Sequence, residues 1–138
     1  MTVYRPTKIL SMLLIASLAL LLGIAHAIVN LEVSEENGIR YVSGGISDDE
    51  QQAIAEIDDE YSLKLTMARE DGAYLNSVQV AIHNGAGEPL ISTVTNGPIL
   101  LAALSPGEYT IEASVEGVAK QETVSIGADG TEEVLLYW

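Results

Sequence analysis

Carboxylates are the most abundant reactive groups in this chain. Twenty of its 138 residues are Asp or Glu, and the densest clusters are residues 48–50 and residues 58–60. Calcium requires about six to eight oxygen ligands that converge on one point, whereas neighbouring side chains on a helix point roughly 100° apart. We therefore expect solvated acidic surfaces at both clusters, with weak calcium binding as the alternative, and we predict no metal site.

Nucleophiles and general bases are scarce. The chain contains no cysteine, which excludes a thiolate nucleophile and a thiolate metal site. His83 is the only histidine after residue 27 and falls on the polar parity of an alternating segment, which favours a solvated surface position. The motifs of serine hydrolases, zinc proteases and phosphate-binding loops do not occur. We predict no catalytic residue, no cofactor-binding residue and no cofactor, and hence no enzyme.

The first 27 residues have the pattern of a secretory signal peptide. Arg5 and Lys8 form a positive n-region, residues 9–24 an apolar h-region, and Ala25-His26-Ala27 an A-x-A cleavage site. The apolar run is shorter than the roughly 20 residues needed to span a bilayer. We expect cleavage after Ala27 and no stable membrane insertion afterwards. The predicted location is periplasmic or secreted, in a Gram-negative bacterium.

The charge balance after residue 27 is strongly acidic. Only Arg40, Lys64, Arg69 and Lys120 oppose 20 acidic residues, a net charge of −16. Like charges repel at long range, so nucleic acid and anionic membrane surfaces are not expected as partners. Solubility is the simplest reason for this charge, and a basic partner is the alternative.

Short apolar runs separated by turn residues predict an all-β sandwich. Residues 109–115 alternate between apolar and polar side chains, which is typical of a strand with one buried face. Residues 99–104 are apolar on both parities, which predicts a strand covered on both faces. Ser105-Pro106-Gly107 predicts a type II turn, and Glu116-Gly117 a two-residue hairpin turn. We expect Trp138 or Tyr137 to close one end of the core.

An apolar strand, a Pro-Gly turn and a Tyr-Thr strand follow one another here, and this order resembles the carboxypeptidase regulatory-like domain, a transthyretin-like (prealbumin-like) family. The matching residues are Leu104, Pro106, Gly107, Tyr109, Thr110, Ala113 and Gly117, with Val78, Val80, Ile82, Gly87, Pro89, Leu90, Thr95, Asn96 and Gly97 upstream. The resemblance covers residues 61–138 and implies a seven-stranded Ig-like sandwich. It also implies a stability or recognition unit rather than a catalyst. The hydroxyisourate-hydrolysing branch of the fold is not expected, since this chain lacks its histidines and its Tyr-Arg-Gly-Ser ending.

Residues 28–60 are predicted to form a leader between the signal peptide and the sandwich domain of residues 61–138. It should contain one or two short strands and one acidic helix over residues 48–58. Ser47 and Glu50 have the spacing of a capping box. Ile54, Ile57 and Tyr61 form an apolar stripe, which we expect to dock on the sandwich because so short a helix is marginal alone.

Three functional hypotheses remain open. The first is a non-catalytic exported module that binds another envelope protein, for example by accepting a strand at an open sheet edge. The second is a module that binds a small ligand or carbohydrate through exposed aromatics. The third is a hydrolase built on a carboxylate pair, although no pair stands out by spacing. The candidate aromatics are Tyr41, Tyr74, Tyr137 and Trp138.

Overall fold

The computed structural model describes residues 29–138, which form three layers: one helix, a five-stranded sheet and a four-stranded sheet. The predictions for residues 1–27, including the signal peptide and its cleavage site, lie outside the described residues. The strands are β1 (Val33–Glu36), β2 (Ile39–Gly44), β3 (Leu63–Ala68), β4 (Gln79–Asn84), β5 (Pro89–Val94), β6 (Ile99–Ala102), β7 (Gly107–Val115), β8 (Val118–Ile126) and β9 (Glu132–Tyr137). The helix α1 spans Asp48–Ile57 and continues into a 3-10 turn, Asp58–Glu60. None of the helices in this part of the chain is long and apolar enough to cross a membrane.

The two sheets have the strand orders β1-β2-β6-β3-β9 and β5-β4-β7-β8. All neighbouring strands are antiparallel except β3 and β9, which run parallel. An all-β architecture with two sheets and one short helix is therefore confirmed, but residues 29–138 contain nine strands rather than the predicted seven. The two additional strands form the β1–β2 hairpin, because β2 pairs with β6 and extends the sheet beyond the seven strands that follow residue 60.

Strand β6 lies at the centre of the five-stranded sheet and is buried on both faces, as its sequence predicts. Leu100 and Ala102 point into the core between the sheets, where they meet side chains from the opposite sheet such as Ile111. Ile99 and Leu101 point the other way, into a second cluster beneath α1. The apolar residues on both parities are therefore explained by one sheet packed between two layers.

Helix α1 is capped and docked as expected. The Ser47 hydroxyl accepts a hydrogen bond from the Glu50 N–H at 3.2 Å, and the helix ends one residue before the predicted end. Ile54 and Tyr61 are buried against the outer face of the sheet. At the far end, the Asp58 carboxylate accepts a hydrogen bond from the Lys64 ammonium at 2.9 Å, which ties the 3-10 turn to β3.

The turn before β7 differs from the predicted type II turn. Gly107 has φ +155, far from the value of about +80 that a type II turn gives its third residue. It already belongs to β7, where it pairs with Ile126. The bend is closed instead by the Tyr109 hydroxyl, which donates to the Ser105 carbonyl at 2.7 Å. The predicted hairpin turn at Glu116-Gly117 is confirmed, with φ +49 and +80.

Replacing Tyr109 with phenylalanine should lower the free energy of unfolding by about 1 kcal/mol. The change removes the hydrogen bond to Ser105 and leaves a partly buried carbonyl without that donor. The measurement is the urea midpoint followed by circular dichroism. Tyr74→Phe is the control, because Tyr74 is 60% exposed and its hydroxyl makes no hydrogen bond within the described residues. Equal midpoints for the two variants would contradict a role of Tyr109 in closing the bend.

Candidate interaction surface

The sandwich has four edge strands, β1 and β9 in one sheet and β5 and β8 in the other. An edge strand presents unpaired N–H and C=O groups to any extended chain that approaches it. Folded proteins protect such edges by short strands, inward-pointing charges or covering loops. The four edges here carry these protections to different extents.

The β1–β2 turn covers edge strand β5. The Asn37 side-chain amide donates to the Leu90 carbonyl at 2.8 Å, and the Glu36 carboxylate accepts from the Ser92 N–H at 3.1 Å. These two side chains occupy backbone groups that a docking strand would need. Asn37 reaches β5 from a tight two-residue hairpin turn, in which Asn37 and Gly38 adopt positive φ, +51 and +77.

Edge strand β8 carries charges on its core-facing parity. Lys120 lies opposite Ala113, and Glu122 opposite Ile111, both of which face the core. Side chains of directly opposed residues lie on the same face of a sheet, so a strand added beside β8 would meet these charges where it needs apolar contacts. Edge strand β1 is protected differently, since it is only four residues long and ends in two glutamates.

Edge strand β9 is the least protected of the four, because its single core-facing charge, Glu132, lies at the start of the strand and the core-facing residues after it are apolar. The N–H groups of Glu132 and Trp138 donate toward β3, to the carbonyls of Ser62 at 2.8 Å and Ala68 at 3.0 Å. Backbone groups of alternate residues point to opposite sides of a strand in a parallel ladder. The N–H and C=O groups of Glu133, Leu135 and Tyr137 therefore point away from β3, and none of them has a hydrogen-bond partner within residues 29–138.

The outer face of the sheet next to this edge is partly apolar, and no element of the described part of the chain covers it. Tyr74 lies opposite Ala68 on one side, and Tyr137 lies opposite Ala68 on the other. The two tyrosines are 60% and 47% exposed, and the neighbouring Leu135 is 58% exposed. Helix α1 does not cover these residues, because it packs on the β2 and β6 side of the same face.

A groove separates the edges of β8 and β9 and has a volume of about 290 Å³. Val124 and Val134 line it and are buried. Glu122, Glu132 and Glu133 also line it, and all three are exposed. The open edge is thus bordered by an apolar patch on its outer side and by carboxylates on the side facing the other sheet.

The four candidate aromatics fall into two groups. Tyr74 and Tyr137 come together in one row of the outer face. Tyr41 packs on the core between the sheets and is half-buried. Trp138 packs against the same core, and its indole N–H donates to the Val118 carbonyl at 2.9 Å. The exposure of Leu135 was not predicted from the sequence. Residues 134–138 are all apolar or aromatic, so the sequence does not indicate which alternate side chains face solvent.

The acidic clusters and His83 do not come together. The carboxylates of residues 48–50 lie in the first turn of α1, and Asp58 is paired with Lys64. His83 is half-buried on the outer face of β4, opposite Thr110. No group of three or more potential metal ligands is found in the described residues. The three glutamates of the groove are solvated, whereas the general acid of a glycosidase lies in an apolar pocket.

A second concavity, of about 700 Å³, lies on the outer face of the four-stranded sheet. It forms where small side chains such as Ala81, Ser114 and Ala119 fill neighbouring positions of the strands. Gln79 and Glu112 also line it. The edge strand that borders this face is β5, whose backbone groups at Leu90 and Ser92 are already bonded by the β1–β2 turn.

Comparison with known proteins adds no further assignment, since no family model matches the chain and no curated protein matches it. The resemblance to the carboxypeptidase regulatory-like domain stays a prediction based on the residues named above.

Proposed function

We propose that this protein is a non-catalytic interaction module that binds an extended segment of another protein as an added strand beside β9. The observation that carries the proposal is the set of backbone groups on Glu133, Leu135 and Tyr137 that have no partner within residues 29–138, at the least protected of the four edges. Main-chain hydrogen bonds to such an edge supply affinity in strand addition, and alternate side chains supply specificity. The exposed Leu135 and Tyr137 side chains would contact alternate residues of the added strand.

A carboxypeptidase regulatory-like domain in an exported protein is part of this proposal. It is supported by the seven strands that follow residue 60, which divide into three in one sheet and four in the other. It is further supported by the role of the matching Tyr109, whose hydroxyl closes the bend before β7. A signal peptide over residues 1–27 would place the partner in the cell envelope.

Leu135→Pro should abolish partner binding while the fold persists. Proline removes the central outward N–H of β9 and leaves the bonds to β3 intact, because the Leu135 N–H points away from β3. The full chain, expressed in its source cells with p-benzoylphenylalanine at position 137, should give one discrete photo-cross-linked product. We expect Leu135→Pro to reduce that product at least tenfold.

The matched control is Gln121→Pro on the β8 edge. Val115 and Val118, which flank the two-residue turn, form a hydrogen-bonded pair, and such pairs alternate with non-hydrogen-bonded pairs along the hairpin. Gln121 lies opposite Glu112 in a non-hydrogen-bonded pair, so its N–H points away from β7. The control therefore also removes an outward N–H, and the cross-link should survive.

Amides of Glu133, Leu135 and Tyr137 should gain hydrogen-exchange protection in the isolated complex. A cross-link that persists in Leu135→Pro, with unprotected amides, would rule out strand addition at β9.

Carbohydrate binding is the second candidate, and the row Tyr74–Ala68–Tyr137 favours it. Two exposed aromatic rings on either side of a small residue offer a flat platform of the kind on which a sugar ring can stack. A glycan array separates the two candidates. Binding that is lost in Tyr74→Ala and retained in Leu135→Pro would favour the sugar, because only strand addition needs the backbone edge.

A further inference from the structure

We infer that the segment bound at β9 is a basic strand from a different protein, in which Lys or Arg alternates with apolar residues. This inference rests on the proposed function and specifies the partner. It follows from the two faces that an added strand would present, one toward the groove between β8 and β9 and the other toward the outer face of the sheet.

Side chains of the added strand that face the groove would lie near uncompensated negative charge. Glu122 and Glu132 share the core-facing parity of their strands and line the same groove. Neither forms an ion pair with any Lys or Arg of residues 29–138. A strand added to β9 would project alternate side chains toward these two carboxylates. Basic side chains are the complement, since their long stems can pack on Val124 and Val134 while the charged heads stay solvated.

Side chains of the added strand that face the outer side of the sheet would contact apolar surface. The added strand would place its other parity beside Leu135 and Tyr137, which are 58% and 47% exposed. The acidic residue on this parity, Glu133, already lies 3.9 Å from the Lys64 ammonium. The charge on the outer face of β9 is therefore partly neutralised, and the rest of this face is apolar. A matching partner strand would alternate basic residues toward the groove with apolar residues toward the outer face.

A second copy of this chain does not fit the same edge. A second β9 strand at this edge would bring two further glutamates, Glu132 and Glu133 of the second copy, and no basic residue. The acidic residues outnumber the basic ones by 16 after residue 27, so two copies repel each other at long range. Charge complementarity therefore selects a basic partner rather than self-association.

The test uses three synthetic peptides with one apolar parity: acetyl-TKVKVKT-amide, its serine analogue TSVSVST and its glutamate analogue TEVEVET. Amide chemical shifts of the ¹⁵N-labelled protein report both affinity and location. We expect the lysine peptide to shift the amides of Glu133, Leu135 and Tyr137 and to bind at least tenfold more tightly than the serine peptide. Raising NaCl from 20 to 300 mM should remove most of this difference, because exposed ion pairs are screened by salt.

Two double variants of equal charge change complete the design. Glu122→Gln with Glu132→Gln should weaken binding of the lysine peptide about fivefold, which corresponds to two exposed ion pairs of about half a kcal/mol each. Glu35→Gln with Glu112→Gln, both exposed and away from the groove, should change that binding less than twofold. An equal loss in both double variants would show that net charge alone attracts the peptide and would overturn the inference.

The outcomes separate this inference from the proposed function. Equal binding of the lysine and serine peptides at β9 would uphold strand addition and overturn the basic partner. Shifts confined to the amides of α1, or no shift with any peptide, would also overturn the basic partner, while the cross-linking experiment would decide strand addition independently. Sedimentation showing a dimer that Leu135→Pro dissociates would instead identify a second copy as the occupant.

Discussion

Gly97→Ala is expected to lower the free energy of unfolding by about 3 kcal/mol, at the upper end of the usual cost of overpacking. Gly97 is buried in the bend before β6, and a Cβ there would overlap the Cα, carbonyl carbon and carbonyl oxygen of Gly44. All three obstructing atoms belong to the backbone, so no side chain can rotate to make room. Gly44 is also held in place by its pairing with Ile99.

Urea unfolding followed by circular dichroism measures this effect. Gly85→Ala is the matched control, because a Cβ at Gly85 meets its nearest neighbour, the Glu108 carbonyl, at an ordinary 3.6 Å. The control should change the free energy of unfolding by less than about 1 kcal/mol. Equal stability of the two variants would mean that the β2 and β6 ends are not in close backbone contact, and the position of the hairpin in the sheet would need revision.

Ile54→Ala is expected to cost about 3 kcal/mol and to release helix α1. Ile54 is 1% exposed and packs with Val42 and Leu101 beneath the helix. The helix has ten residues, too few to persist alone in water. Its formation therefore depends on this contact, and truncating the side chain removes both apolar burial and the anchor of the helix.

Hydrogen exchange distinguishes release of the helix from general destabilisation. In Ile54→Ala, the amides of α1 should lose protection more than those of β4 and β7, which lie in the opposite sheet. Gln52→Ala is the control, since Gln52 is exposed on the same helix and its truncation should leave protection unchanged. A uniform loss of protection across both sheets would indicate that α1 and the sandwich unfold as one unit.

The strands and caps could be predicted because their causes are local. Alternation over residues 109–115 identifies β7, and the Ser47 hydroxyl with the Glu50 N–H three residues later identifies the start of α1. The turn at residues 105–107 could not be assigned correctly, because Gly107 is drawn into β7 by its pairing with β8. The number of strands in the sheet was also underestimated, since the leader gave no signal that β2 would pair with a strand some 60 residues later.

The candidate site depends on contacts between distant parts of the chain. Asn37 and Leu90, whose hydrogen bond protects β5, are 53 residues apart. Lys120 and Glu122 protect β8 only because its register with β7 places them on the core-facing parity. Tyr74 and Tyr137 share a row only because β9 pairs in parallel with β3. No spacing in the sequence encodes these relationships.

The sequence by itself determined which segments become strands, where the helix begins and that the protein is strongly acidic, because these properties follow from side chains a few residues apart and from simple counting. Tertiary structure alone decided which of the four sheet edges stays open. Strand order and register minimise exposed apolar area over the whole sandwich, and that global packing leaves the outward backbone groups of β9 without partners among residues 29–138.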